Sequence, residues 1–341
     1  MKKAIVIMLI ACTVGVSGLL FAGGAKEVDA SQAKGSVTVY CPHEAGPLNA
    51  GVKAFEDATG IKVDVVAAGS GELLKRIEAE SANPLGDVFW GGGAESAAAY
   101  ARYFETFVSK YDDLIPIASK AADQKWIGES PVPVVIMYNK NLVGEDEVPA
   151  GWMDLLDPKW KGRIAYADPA KSGSAYSLLC TMIQAIGKDD GQGWDFVRKF
   201  VANLDGKIQG SSSNAYKLVA DGEYALGLTQ EKSVQTYVLA GANVGMVYAK
   251  EGTSAVPDSI AIIKGAKNLE NAKLFVDFML GEENQRTMSE QFNRRPVRDD
   301  VNPPKGLPQM SSIKLVDYDF EWASLEKAEI ISQWKNIVVG R

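Results

Sequence analysis

Three short, hydroxyl-rich segments carry the strongest chemical signal in this sequence: Gly69-Ser70-Gly71, Ser172-Gly173-Ser174 and Ser211-Ser212-Ser213-Asn214. Each follows an extended apolar run and opens a helical pattern. Free backbone N–H groups, the positive end of a helix and a hydroxyl therefore lie side by side, which suits an anion. The same residue types are ordinary helix N-caps, so one such loop by itself says little. Three loops converging on one cleft would hold an oxyanion-rich ligand, each charge-assisted hydrogen bond contributing roughly 1.5–3 kcal/mol. Gly69-Ser70-Gly71 also begins like the dinucleotide fingerprint G-x-G-x-x-G, but Leu74 takes the third glycine position and the fingerprint is not supported. The candidate ligand-facing residues are thus Ser70, Gly71, Ser172, Gly173, Ser174, Ser213 and Asn214. Further candidates are His43 and Glu44 after the first strand, Gly92 and Gly93 after Trp90, and Thr229 and Glu231 after the last strand of the second half. Glu44 or Glu231 would accept sugar hydroxyls or pair with an ammonium group. His43 reads as a surface or cleft polar residue, and Trp90 as core.

Other chemistries are poorly served. A single histidine, His43, excludes zinc sites built on paired histidines, and any nucleophilic triad would have to use that one position. There is no G-x-S-x-G elbow and no Walker loop; Ser311-x-x-Lys314 is a short chance-level match to a Ser-Lys pattern. Arg294-Arg295-Pro296-Val297-Arg298 is a basic cluster in a turn, expected to be surface charge with room for one arginine to reach a cleft. With 36 Lys and Arg against 43 Asp and Glu, and no basic run, the chain does not have a nucleic-acid-binding surface. No catalytic residue, metal ligand or cofactor is expected.

The elements that must position these residues alternate. The runs 36–40, 61–66 and 86–90 read as strands, and 48–59, 72–81 and 94–104 as helices. Residues 130–139 form a long extended run with prolines at its start, as at an edge or a crossover. A second series follows: strands at 162–166, 207–209 and 224–228, with helices at 175–187, 215–221 and 232–240. Residues 257–263 form a strand that could cross back, followed by helices 268–280 and 282–291. A last helix, 320–338, presents Leu325, Ile330, Trp334 and Ile337 as a docking face. Strand–helix alternation implies α/β architecture with mostly parallel sheets and ligand-facing loops at the strands' carboxyl ends. A length of 341 residues favours two lobes.

Lys2 and Lys3 precede an apolar stretch over 4–22 that ends in small residues, the pattern of a secretory signal peptide over 1–25, cleaved between Ala22 and Ala25. Leu9-Ile10-Ala11-Cys12 also matches a lipobox, which would tether the protein through Cys12, although an apolar run follows where polar residues are usual. Removal of 1–25 takes away two lysines and shifts the formal net charge from −7 to −9. Residues 26–35 read as a linker. Cys41 and Cys180 remain, expected in different lobes as two buried thiols, since a bridge between them would lock a hinge.

In order along the mature chain, Val37–Tyr40, the run 68–80 (AGSGELLKRIEAE), the run 83–90 (NPLGDVFW), Gly162-Arg163-Ile164-Ala165, the run 221–227 (DGEYALG) and Arg294-Arg295-Pro296-Val297-Arg298 resemble the ferric-iron-type family of periplasmic solute-binding proteins of ABC transporters. The resemblance implies the type II periplasmic-binding-protein fold, two α/β lobes joined by crossover strands with a ligand cleft between them. It assigns 36–131 with about 256–300 to one lobe and 132–255 with about 301–341 to the other. It also implies a monomer that closes on its solute in the periplasm and delivers it to an inner-membrane permease and its ATPase. Members of that family that bind Fe(III) carry adjacent tyrosines where this chain has Thr229-Gln230-Glu231-Lys232, and their histidine falls nearer Glu44 than His43. The serine-rich helix starts remain while the metal ligands do not. The expected ligand is therefore a small anion, a phosphorylated sugar or phosphonate, with hexose phosphate first. The alternatives are ferric iron, and a secreted phosphoester-acting enzyme that would need His43 as acid or base or an unseen metal.

Overall fold

The structure, a computed structural model, describes residues 35–340. The expected signal segment, Cys12 and nearly all of the 26–35 linker lie outside the described residues. The first half builds β1 (Ser36–Cys41), α1 (Ala45–Thr59), β2 (Lys62–Ala67), α2 (Ser70–Ala79), β3 (Val88–Gly93), α3 (Ala94–Ala99) and β4 (Ile127–Pro131). The chain then enters a second unit of β5 (Val134–Asn139), β6 (Ile164–Ala167), α4 (Gly173–Ile186), α5 (Gln192–Leu204), β7 (Ile208–Gln209), α6 (Ser212–Ala220), β8 (Leu226–Gln230), α7 (Glu231–Leu239) and β9 (Val244–Val247). It returns through β10 (Pro257–Ile262), α8 (Leu269–Met279) and α9 (Glu282–Phe292), and finishes with α10 (Phe320–Leu325) and α11 (Lys327–Val339).

The two five-stranded sheets share one plan, β2-β1-β3-β10-β4 and β7-β6-β8-β5-β9. In the first, β1 pairs in parallel with β2 and β3, and β10 runs antiparallel to β3 and β4. In the second, β6 pairs in parallel with β7 and β8, and β5 runs antiparallel to β8 and β9. β10 and β5 are the strands whose chain arrives from the other lobe. A crossing strand enters at the end where its neighbours leave, so it must run against them. The extended run 130–139 is in fact two strands, one in each sheet, with Val132 and Pro133 between them. A proline lacks the N–H that a continuous ladder would need, which lets the chain leave one sheet and join the next.

Alternation along the strands feeds a core on each face. Val37, Val39 and Cys41 of β1 and Trp90 of β3 pack with Phe275, Val276 and Met279 of α8, while Tyr40 and Phe89 pack on the other face with Leu73, Leu74 and Ile77 of α2. In the second lobe Tyr166, Tyr176, Phe196, Phe200 and Trp334 fill one face, and Val135, Met137, Val219 and Val234 the other. Cys41 and Cys180 are free, buried and in different cores, as expected, and burial pushes each thiol up to about 12.

Four local expectations need correction. Gly91, Gly92 and Gly93 are the last residues of β3, not a loop beyond it. Residues 192–204, not anticipated as an element, form α5, whose Phe196, Val197, Phe200 and Val201 are buried at helical spacing. Helix 94–104 is cut to α3 and a 3-10 turn at 101–103. The helix expected over 320–338 breaks into α10 and α11 at Glu326, and Leu325 is 71% exposed, so only Ile330 and Trp334 of its supposed docking face are buried.

Candidate functional site: a cleft between the lobes

Loops at strand ends of both lobes meet. Ser70 is the first residue of α2, whose cap is Gly69; the N–H groups of Glu72 and Leu73 both donate to the Gly69 carbonyl at 3.0 Å. The N–H groups of Ser70 and Gly71 precede any helical acceptor. Ser172 caps α4 from the opposite lobe: its Oγ accepts the N–H of Ala175 at 3.2 Å and lies 3.1 Å from Ser174 Oγ. A Cβ added to Gly173 would sit 3.5 Å from Ser70 Oγ, and one added to Gly92 only 3.0 Å from Ser70 Cβ. Ser70 is thus held between a glycine of its own lobe and a glycine of the other, and no side chain of either fills the gap. Gly92 has φ +80°, a conformation that favours glycine. Two helix N-termini therefore face one another across the cleft with Ser70, Gly71, Gly173 and Ser174 at their tips.

The third loop is arranged differently. Ser211 caps α6, its Oγ lies 2.9 Å from Ser213 Oγ, and Asn214 is exposed, with its N–H on the Ser211 carbonyl. α6 addresses the other lobe one turn later. The Tyr216 hydroxyl is pushed up to about 12, first by burial and then by the nearby Glu44 carboxylate. Glu44, exposed at the cap of α1, thereby faces lobe 2.

Behind these tips lies a charged floor that the sequence did not reveal. Arg294 Nη2 donates to Glu129 Oε2 at 2.6 Å and to Asp258 Oδ2 at 3.0 Å, and Lys232 Nζ reaches the same Asp258 oxygen from the other lobe at 3.4 Å. Arg295 grips Glu231 with Nε at 2.7 Å and Nη2 at 2.9 Å, and the Tyr248 hydroxyl also donates to Glu231. Arg298 closes on Asp300 at 2.7 Å. All three arginines are buried, so the expectation of a surface basic turn is corrected. Each is drawn inward by a carboxylate, two of them 36 or more positions away in sequence. Glu231, 1% exposed and held by Arg295, does not offer the free carboxylate expected of it, and Thr229, 3% exposed, is buried in β8 opposite Val135.

His43 is not a surface residue: its side chain is 4% exposed, edge-on to Trp90 at 5.0 Å, with Nε2 3.9 Å from Glu129 Oε2. Gly91, at φ +120°, leaves room for it, since a Cβ there would come within 2.8 Å of the imidazole. Burial, reinforced by Arg294, holds the imidazole well below its ordinary 6.5. Asp258 is driven the other way: burial would raise it, but Lys232 and Arg294 overcome that and hold it far below the usual carboxylate range. His43, Glu129 and Asp258 bring a nitrogen and two carboxylate oxygens within 4.8 Å of one another, types a metal ion takes. The Arg294 guanidinium bridges the two carboxylates, so these residues are an ion-pair cluster and do not fit a cation.

A second buried group escaped the sequence reading. Glu95 of α3 is fully buried, accepts a hydrogen bond from Ser177 of α4 across the cleft, and has Oε2 without a partner beside Gly93. Burial raises its carboxyl despite Ser177 and Lys327. Lys327 donates to Ser96 Oγ at 2.8 Å, and burial lowers its ammonium. Nothing in the local sequence of an alanine-rich helix marks Glu95; only the arrival of α4 and α11 gives it partners.

Two α/β lobes of like topology, linked by crossing strands and holding polar helix ends in the cleft between them, define a periplasmic-binding-protein fold. The chain belongs to the bacterial extracellular solute-binding protein family, whose model matches residues 50–312. It is similar to the periplasmic binding protein AfuA from Actinobacillus pleuropneumoniae, a structure with exogenous fructose-6-phosphate bound, at 29% identity over 90% of this chain and 99% of that one, with a TM-score of 0.81. It is 28% identical to a putative 2-aminoethylphosphonate-binding periplasmic protein of Salmonella typhimurium, over 73% of this chain and 74% of that protein. The major ferric iron-binding protein of Neisseria gonorrhoeae is 25% identical over 88% of this chain and 94% of its own length. The protein is therefore the periplasmic solute-binding component of an ABC importer, and the three relatives named above are binding proteins. Among the described residues no helix is long and apolar enough to cross a membrane.

Proposed function

We propose that the solute is a small anion, a phosphorylated sugar or a phosphonate, captured as the lobes close and passed to an inner-membrane permease and its ATPase. The observation that carries this reading is the approach of the α2 and α4 N-termini from opposite lobes, with Ser70 Oγ 3.5 Å from the Cβ position of Gly173. A phosphoryl or phosphonyl group bridging them would accept N–H bonds from both lobes and so favour closure. Arg294 between Glu129 and Asp258, and Thr229-Gln230-Glu231 where ferric binders carry tyrosines, favour it over Fe(III). The working lobes are 36–131 with about 256–300 and 132–255 with about 301–341, acting as a monomer. Export proceeds through residues 1–25, with Cys12 lipidation a minority route.

Calorimetric titration of the mature chain, stripped by unfolding and refolding, tests this against glucose 6-phosphate, inorganic phosphate, 2-aminoethylphosphonate and ferric citrate. Binding of a phosphorylated or phosphonate compound at micromolar level or tighter, without response to iron, is expected. Tight ferric binding with a visible absorption band would replace the anion by a metal. Turnover of a phosphoester lost in His43→Ala would revive an enzyme.

A further inference from the structure

The charged floor holds four cations, Arg294, Arg295, Arg298 and Lys232; Arg298 is held by Asp300, and of the four only Lys232 is free to leave. Arg294 serves two buried carboxylates and is 3% exposed, and Arg295 is committed to Glu231 through two bonds. Lys232 has a single side-chain contact, the 3.4 Å one to Asp258 Oδ2, an oxygen that Arg294 already holds at 3.0 Å; its side chain is 23% exposed. An ammonium has three donors, so most of its capacity is unused. If Lys232 moved away, Asp258 would keep Arg294. If Arg294 moved, Glu129 and Asp258 would be left buried without their shared guanidinium, which is costly.

We propose that Lys232 is the residue that reads the negative charge of the solute, resting on Asp258 while the cleft is empty and turning to the anion when it arrives. The proposal rests on the anion reading above. Lys232 lies in the first turn of α7, and Asp258 on β10 of the opposite lobe, directly across the ladder from Gly93. Ser259 Oγ donates to the Gly92 carbonyl at 3.1 Å, and Gly92 packs on Ser70. The ammonium is thus one strand from the α2–α4 tips, on the same floor. A phosphoryl group offers up to two charges and three oxygens, against a carboxylate oxygen shared with a guanidinium, so the exchange favours the ligand. Glu231, clamped by Arg295 and Tyr248, fixes the first turn of α7, so that only the lysine side chain has to move.

Wild type, Lys232→Met and Lys232→Arg would be titrated with glucose 6-phosphate and 2-aminoethylphosphonate, with the ligand-free melting temperature of each recorded. The methionine variant is expected to lose roughly 10–100-fold in affinity for whichever compound the wild type binds. Its melting temperature should be unchanged, and arginine should recover most of the affinity. A methionine variant that binds as tightly as wild type overturns the role of Lys232 and leaves the anion cleft standing. A fall in ligand-free melting temperature that accompanies the loss, with no recovery by arginine, makes the lysine structural and also overturns it. A wild type silent to both compounds removes the anion reading, and this inference with it.

Discussion

At the scale of single residues, the cleft floor owes its character to ionisable groups held away from water. His43 faces Glu129, Asp258, Arg294 and Lys232, and its imidazole is held neutral well below 6.5, first by burial and then by Arg294. Its folded-state value is lowered, so acid favours the unfolded chain: below pH 6.5 the unfolded histidine takes a proton that the folded one refuses. Stability therefore falls between about pH 6.5 and the depressed folded value, by up to ~1.4 kcal/mol per pH unit. Glu95, whose carboxyl is raised, works in the opposite sense, gaining a proton on folding as the pH drops through the mildly acid range. Asp258 loses its stabilising charge only at far lower pH. Denaturant midpoints at pH 7 and pH 5 should therefore converge in His43→Gln relative to wild type, and an unchanged pH dependence would mean that His43 is protonated in place.

At the scale of elements, what matters is how helix starts are used. Ser172 and Ser70 look alike in the sequence, yet Ser172 Oγ is engaged in capping the Ala175 N–H, whereas Ser70 follows its cap and faces Gly173. Ser172→Ala is expected to cost ~1 kcal/mol of stability by the loss of the cap, measured by chemical denaturation, with ligand contacts through the Gly173 and Ser174 N–H groups kept. Ser70→Leu should do the reverse. With Gly92 packed against Ser70, where an added Cβ would come within 3.0 Å of Ser70 Cβ, and Gly173 opposite, the larger side chain fills the gap between the lobes, so binding is abolished while the ligand-free melting temperature holds. Unimpaired binding by Ser70→Leu would move the anion site elsewhere in the cleft. The serines of α6 bond to each other at the surface, and their alanine variants should have the smallest effect.

At the scale of the whole molecule, ligand binding and lobe contact are one equilibrium. Ser70 with Gly173, Lys232 with Asp258 and Glu95 with Ser177 all join residues of opposite lobes, so a bound solute should stabilise the chain as a unit. At a hundredfold excess over its Kd, a solute adds ~2.7 kcal/mol, read as a rise in melting temperature for wild type and none for Ser70→Leu. The alternation of β-branched runs and amphipathic helices was enough to place nearly every strand, both α/β halves and the polar loops of Ser70 and Ser172 at the start of their helices, because those features are set by neighbours two to four residues apart. The burial of the arginine turn was not legible. Arg294 meets Glu129, 165 positions away, and Asp258, 36 away, and Arg295 meets Glu231, 64 away, while in the sequence the three arginines look like solvated charge. The same holds for Glu95, for the break between α10 and α11, and for the choice of Lys232 over Glu231 as the charge that can move. Local sequence determined the elements and their small polar ends. Only tertiary structure decided which of those ends face each other across the cleft, and which charges are paired, because pairing depends on what the crossing strands carry from one lobe to the other.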